Sequence, residues 1–94
     1  MNIDIMDTIT LSDKNKYLVV SKVNHQDNTY YYLIDEENNK NIKFCLEEAE
    51  TKSLTEINDS SLIQILVPLF ATTASQYVAI NNLEEWYSTK YNVL

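Results

Sequence analysis

The sequence has no glycine and no arginine, and one copy each of cysteine, proline, histidine and tryptophan among 94 residues. The missing glycine excludes a class of sites. Loops that cradle phosphate use glycine so that the backbone can approach the anion and adopt positive φ. Neither a Walker loop, nor a dinucleotide fingerprint, nor a nucleophile elbow can be written with these residues. A calcium loop of the Asp-x-Asp-x-Asn-Gly type fails for the same reason, so no cofactor and no metal are expected. Turns fall to Asn and Asp, the next most tolerant of left-handed geometry. Without arginine all seven cations are lysine, and the planar fork that grips phosphate or carboxylate in two places is lost. The lone Cys45 has no internal disulfide partner, and the opening residues Met1–Asp7 carry no cationic region. Both point to a reducing, cytoplasmic setting. The densest apolar run, Leu62 to Ala71, is broken by Gln64 and Pro68. It falls short of the about 20 residues that cross a bilayer, and no membrane partner is expected.

Acid is plentiful. Fourteen Asp and Glu against seven Lys leave a formal charge of −7. That disfavours direct binding of nucleic acid, whose phosphates need Lys and Arg. The 45% apolar fraction excludes full disorder. A chain of this size is one domain and buries roughly 60–65% of its unfolded surface, enough for one modest core.

The chain reads as two halves. Between residues 7 and 57, short β-branched and aromatic runs alternate with polar breaks about five residues long, a spacing that suits antiparallel hairpins. The runs are Thr8–Leu11, Tyr17–Val23, Thr29–Asp35, Asn41–Leu46 and a shorter one, Ser53–Ile57. The second is apolar on both faces through Leu18, Val19 and Val20, which places it inside the sheet. In the fourth, alternation puts Ile42, Phe44 and Leu46 on the core face and Cys45 with Lys43 on the other. After Asn58 the period becomes helical. Asp59 caps a helix over residues 59–71, with Leu62, Ile65, Leu66 and Leu69 expected against Ile9, Val19, Tyr32 and Phe44. Pro68 predicts a kink or an end nearby, with a joint at Thr72–Ser75. Residues 73–90 then form a second helix or a tail. The expected fold is α+β, an antiparallel β-meander of four to five strands followed by one or two C-terminal helices packed on one face. The first or last strand leaves an open edge for strand addition.

Three of these runs together carry a resemblance. Asp7-Thr8-Ile9-Thr10-Leu11-Ser12-Asp13, Lys16-Tyr17-Leu18-Val19-Val20 and Thr29-Tyr30-Tyr31-Tyr32-Leu33-Ile34-Asp35 resemble the YrzB-like family of small acidic bacterial proteins, a domain of unknown function. The resemblance covers half to two-thirds of the chain, and the part after Phe70 has no counterpart. Members usually place glycine in the turns, and this chain has none. The resemblance implies a meander and carries over no catalytic residue.

Candidate chemistry is sparse. His25 could act as a base with Asp27 or Cys45, but a triad also needs an oriented third member and an oxyanion site, so a solvated loop residue is the better reading. Cys45 has Lys43 beside it to favour a thiolate, against the plainer role of a small residue on a sheet face. One Cys and one His do not make a metal site. No enzyme is expected. Contact residues are better represented. In Tyr30-Tyr31-Tyr32 alternation turns Tyr31 away from its neighbours, and either one tyrosine is exposed as an anchor or both faces are covered. Acidic clusters sit at Asp35-Glu36-Glu37, at Glu47-Glu48 and at Glu84-Glu85, the last beside Trp86. Trp86 either staples a tail to the core, which burial favours, or anchors a partner. The partner-binding candidates are therefore Tyr31, Asp35, Glu36, Glu37, Glu47, Glu48, Glu84, Glu85 and Trp86. They suggest a non-enzymatic module that modulates a protein partner with a basic surface. The alternative is an inhibitor of the phage or mobile-element type, anti-CRISPR-like, that imitates nucleic acid. A small hydrolase ranks third.

Overall fold

A computed structural model describes residues 2–81. Five strands, β1 (Thr8–Thr10), β2 (Lys16–His25), β3 (Asn28–Asp35), β4 (Ile42–Glu48) and β5 (Ser53–Glu56), precede a single helix, α1 (Ser60–Asn81). The strands pair antiparallel in chain order, β1-β2-β3-β4-β5, so the fold is an α+β meander with a C-terminal helix. Among the described residues, β1 and β5 are both open edges.

The turns work without glycine and use Asn and Asp mainly as acceptors, with the Asp13, Asp35 and Asn38 side chains taking amides two residues on, while the left-handed positions fall largely to other residues. Positive φ falls on Met6, Lys14, Gln26, Asp27 and Lys52, and Asp27 alone among them is of the expected type. β2 and β3 run further than the sequence pattern suggests, to His25 and from Asn28, because Gln26 (φ 49°) and Asp27 (φ 66°) make a two-residue hairpin. Two successive positive φ values are the signature of a type I′ turn, whose twist matches that of the strands it joins.

Both faces of the sheet are apolar. One carries Leu18, Val20, Val23, Tyr30, Tyr32 and Ile34, packed against Leu66, Phe70 and Val78 of α1. Tyr32, Phe44 and Phe70 meet there as rings, with centroids 5.2 to 5.9 Å apart. The other face carries Tyr17, Val19, Tyr31, Leu33 and Cys45. The residue opposite Leu33 is Val19 and the one opposite Tyr32 is Ser21, which leaves Val20 as an extra residue in β2. This bulge lets Val20 and Ser21 both address the helix side. Ser21 is wholly buried, and its hydroxyl donates to the Phe70 carbonyl at 2.9 Å.

The helix begins where the sequence places it. The Asp59 carboxylate accepts from the amides of Ser61 (3.0 Å) and Leu62 (3.3 Å). Its packing stripe differs from the expected one. Leu66, Phe70, Ala74 and Val78, spaced by four, are buried, whereas Ile65 is 51% and Leu69 39% exposed. Leu62 is half-buried on the helix-side core. Ile9 and Val19 lie on the face away from the helix, because β1 pairs Ile9 with Tyr17 and strand alternation fixes the side. Ile42, expected in the core, is 41% exposed at the start of β4. Pro68 neither ends nor divides the helix, which runs unbroken through Thr72–Ser75. Gln64 and Pro68 both lie on the exposed side, where water can serve the carbonyl that Pro68 leaves without a donor. The segment Ser60–Ala79 is long and apolar enough, by length and composition, to cross a membrane, a test that the core helix of a soluble protein also passes. The run is thus longer than Leu62–Ala71 suggested. Of the expected segment 73–90, the part beyond Asn81 lies outside the described residues.

Candidate partner-binding groove

The face away from the helix is covered only in part. The N-terminal segment crosses it and is held by Lys22, whose ammonium donates to the Ile3 carbonyl (2.8 Å) and lies 3.7 Å from Asp4. Beside this segment runs a groove of about 470 Å³. Ile9 and Leu11 border it from β1 and the turn that follows, and Leu54 and Glu56 from β5, with Lys43 and Cys45 between. The two ends of a five-stranded meander share one groove because the sheet curls into an open half-barrel.

Among the described residues, both rims are unpaired backbone. On β1, the Asp7 carbonyl accepts from Val19 and the Leu11 amide donates to Asn15. By the alternation of an antiparallel ladder, Asp7, Ile9 and Leu11 turn their backbone groups toward β2, and Thr8 and Thr10 turn theirs outward. On β5, the Ile57 amide donates to Phe44 and Ser53 lies opposite Glu48. Ser53, Thr55 and Ile57 therefore face β4, and the N–H and C=O of Leu54 and Glu56 face outward.

The charged side chains that line the groove are Asp13, Lys43 and Glu56. Lys43 donates to Glu56 at 3.1 Å, which raises the lysine pKa, so both groups stay ionised with their charges set against each other. Asp13 accepts from the Tyr17 hydroxyl at 2.6 Å and from the Asn15 amide at 2.9 Å, and these bonds hold its carboxyl below the ordinary value. Tyr17 is a neutral donor whose own pKa is raised, first by burial, so Asp13 keeps its full charge. Cys45 is pushed up to about 11, chiefly by burial and further by Glu56. It remains a thiol, and the lysine beside it is already committed to Glu56. His25 cannot assist it. Its ring lies 6.5 Å from that of Tyr30, on the helix side of the sheet.

The residues singled out from the sequence fall in three places. Tyr30, Tyr31 and Tyr32 are 5%, 0% and 6% exposed, so the expected exposed tyrosine is absent and both faces are covered. The Tyr31 hydroxyl donates to Glu47 at 2.7 Å, and burial with that carboxylate raises its pKa. Asp35 is buried at the end of β3. It accepts from the Glu37 amide (2.9 Å), Asn41 (3.1 Å) and Asn15 (3.3 Å), and the bonds from Glu37 and Asn41 depress its pKa. Asn41 also donates to the Tyr17 hydroxyl at 3.2 Å, which links Asp35 to Asp13 through one network. Glu36 and Glu37 are exposed on the β3–β4 turn, with Glu36 accepting from the Thr8 hydroxyl at 2.8 Å. Asp35, Glu36 and Glu37 thus share one end of the sheet with Asp13, while Glu47 and Glu48 close β4 at the other. Glu84, Glu85 and Trp86 lie outside the described residues.

Sequence reasoning missed the groove. Its signal is the second phase of the strand alternation, Ile9 and Leu11, Tyr17 and Val19, Tyr31 and Leu33, Cys45, Leu54, which is as apolar as the first. Comparison of the chain with protein-family models, with curated proteins and with solved structures finds no match.

Proposed function

We propose that this protein is a non-enzymatic binding module that modulates a protein partner, and that the β1/β5 groove is where the partner docks. The observation that carries this reading is an apolar groove flanked on both rims by sheet edges that are unpaired among the described residues. Soluble proteins usually blunt such edges with charge, proline or a cover, and an edge left open beside apolar surface is a template for another chain. The resemblance to the YrzB-like family belongs to the same proposal and rests on the three strand motifs alone. Capture of partners on the immobilised full chain at rising salt tests it. Contacts made through a groove of this kind persist at high salt, because apolar burial and backbone pairing are little screened. Loss of every captured protein at high salt would count against the groove.

Imitation of nucleic acid is a second reading, favoured by the gathering of Asp13, Asp35, Glu36 and Glu37 at one end of the sheet. It ranks below the first because Lys14 and Lys40 belong to the same two turns, and Lys16 opens β2 beside them, which dilutes the charge. A mimic would release its partner as salt rises and would compete with DNA or RNA for it.

A further inference from the structure

We infer that the groove takes one extended segment of a partner protein, paired antiparallel with β5, apolar at alternate positions and preceded by lysine or arginine. The inference rests on the binding-module reading and names the chemistry of its ligand. Three observations support it. The outward N–H and C=O groups of Leu54 and Glu56 offer the next rung of a ladder, and an antiparallel strand meets them with the better geometry. The side chains of Leu54 and Glu56 line the groove. A partner residue directly opposite either one shares its face, so the residues that pair with β5 are also those that enter the groove among Ile9, Leu11 and Leu54. Those positions must be apolar, and the intervening ones face away and can be polar. The charge sits at one end. β5 runs toward Glu56, and Asp13 on the β1–β2 turn lines the same groove; Lys43, the one lysine lining the groove, is hydrogen-bonded to Glu56 and acts on Asp13 only through space, so two carboxylates face one lysine at this end. An antiparallel segment enters at this end, which places its cation ahead of the apolar stretch.

The test uses the isotope-labelled full chain and synthetic peptides. A peptide of alternating valine and threonine preceded by two lysines should slow hydrogen exchange of the Leu54 and Glu56 amides about tenfold or more at saturation. The same peptide preceded by two glutamates should bind roughly fivefold more weakly, with the difference shrinking as salt rises. N-methylation of the valines removes the paired donors and should abolish the protection, whereas N-methylation of the threonines should spare it. No protection by either parent peptide overturns strand addition. So does equal loss from the two methylated forms, or strong protection in the free chain, which would mean that the chain's own residues fill the groove. Protection that grows with protein concentration overturns it in favour of a second copy. If the peptides fail while Leu54→Arg still releases a captured partner, the binding module stands and the strand does not. If capture fails as well, both fall.

Discussion

The Ser21 hydroxyl donates a 2.9 Å hydrogen bond to the backbone carbonyl of Phe70, joining the bulge of β2 to the middle of α1 across 49 positions of sequence. Both residues are fully buried. The bond lets a polar side chain occupy a core position, and the bulge is what turns it there. Ser21→Ala removes the donor while the Phe70 carbonyl keeps its place in the helix ladder, so the expected loss is about 1 kcal/mol. Urea unfolding should show a lower midpoint with an unchanged slope. Ser21→Val should cost more, because a β-branched side chain has to fit against the helix backbone.

The hairpin at Gln26–Asp27 holds two non-glycine residues at positive φ. Asn-Gly is the favoured pair for such a turn. The double change Gln26→Asn with Asp27→Gly should stabilise the protein by about 0.5–1 kcal/mol, measured as a higher unfolding midpoint. A lower midpoint would mean that the side chains of Gln26 or Asp27 make contacts that outweigh the backbone strain.

Pro68 stands inside an unbroken helix and faces outward. Pro68→Ala restores a donor for the Gln64 carbonyl and relieves the ring's clash with it, and should stabilise by about 1–3 kcal/mol. Thermal unfolding checks this, with a rise in Tm expected.

Asp13 and Asp35 are both held below the ordinary carboxylate value of 3.8 by hydrogen bonds, from Tyr17 and Asn15 in one case and from Glu37 and Asn41 in the other. A depressed folded-state pKa adds stability that is fully present above the unfolded value and is lost as pH falls through the folded one. Stability should therefore hold down to about pH 4 and decline below it. In Asp35→Asn the protein should be less stable at neutral pH, and its acid decline should be shallower. An acid profile unchanged by the substitution would show that Asp35 titrates normally.

How far the fold was legible depended on which interactions were local. β1 to β5 announce themselves through alternating β-branched and aromatic residues, and Asp59 announces the helix start, because both signals lie within a few residues. The helix stripe was misjudged because Leu62, Ile65, Leu66 and Leu69 fit the helical period as well as Leu66, Phe70, Ala74 and Val78 do. The bulge at Val20 and the seating of Phe70 on the sheet decide between them, and neither is local. Pro68 misled for a related reason, since its cost depends on whether the bereft carbonyl meets water. Tyr31 and Asp35 were legible as special residues, but their hydrogen bonds to Glu47 and Asn41 turned them inward. The groove stayed hidden because its two rims, Ile9 and Leu54, are brought together only by the curl of the whole sheet.

Capture of partners by surface variants decides whether a partner docks in the β1/β5 groove. Leu54→Arg places a charge in the groove at an edge strand, and Leu69→Glu places one on a part-exposed flank of α1 beside β2, away from the groove. Both sites are accessible enough for the fold to survive, which circular dichroism can verify. Wild type and Leu69→Glu should retain the same partner at high salt, and Leu54→Arg should lose it by tenfold or more, on the order of 1.4 kcal/mol. Retention by Leu54→Arg together with loss by Leu69→Glu would place the contact on the helix and contradict the groove.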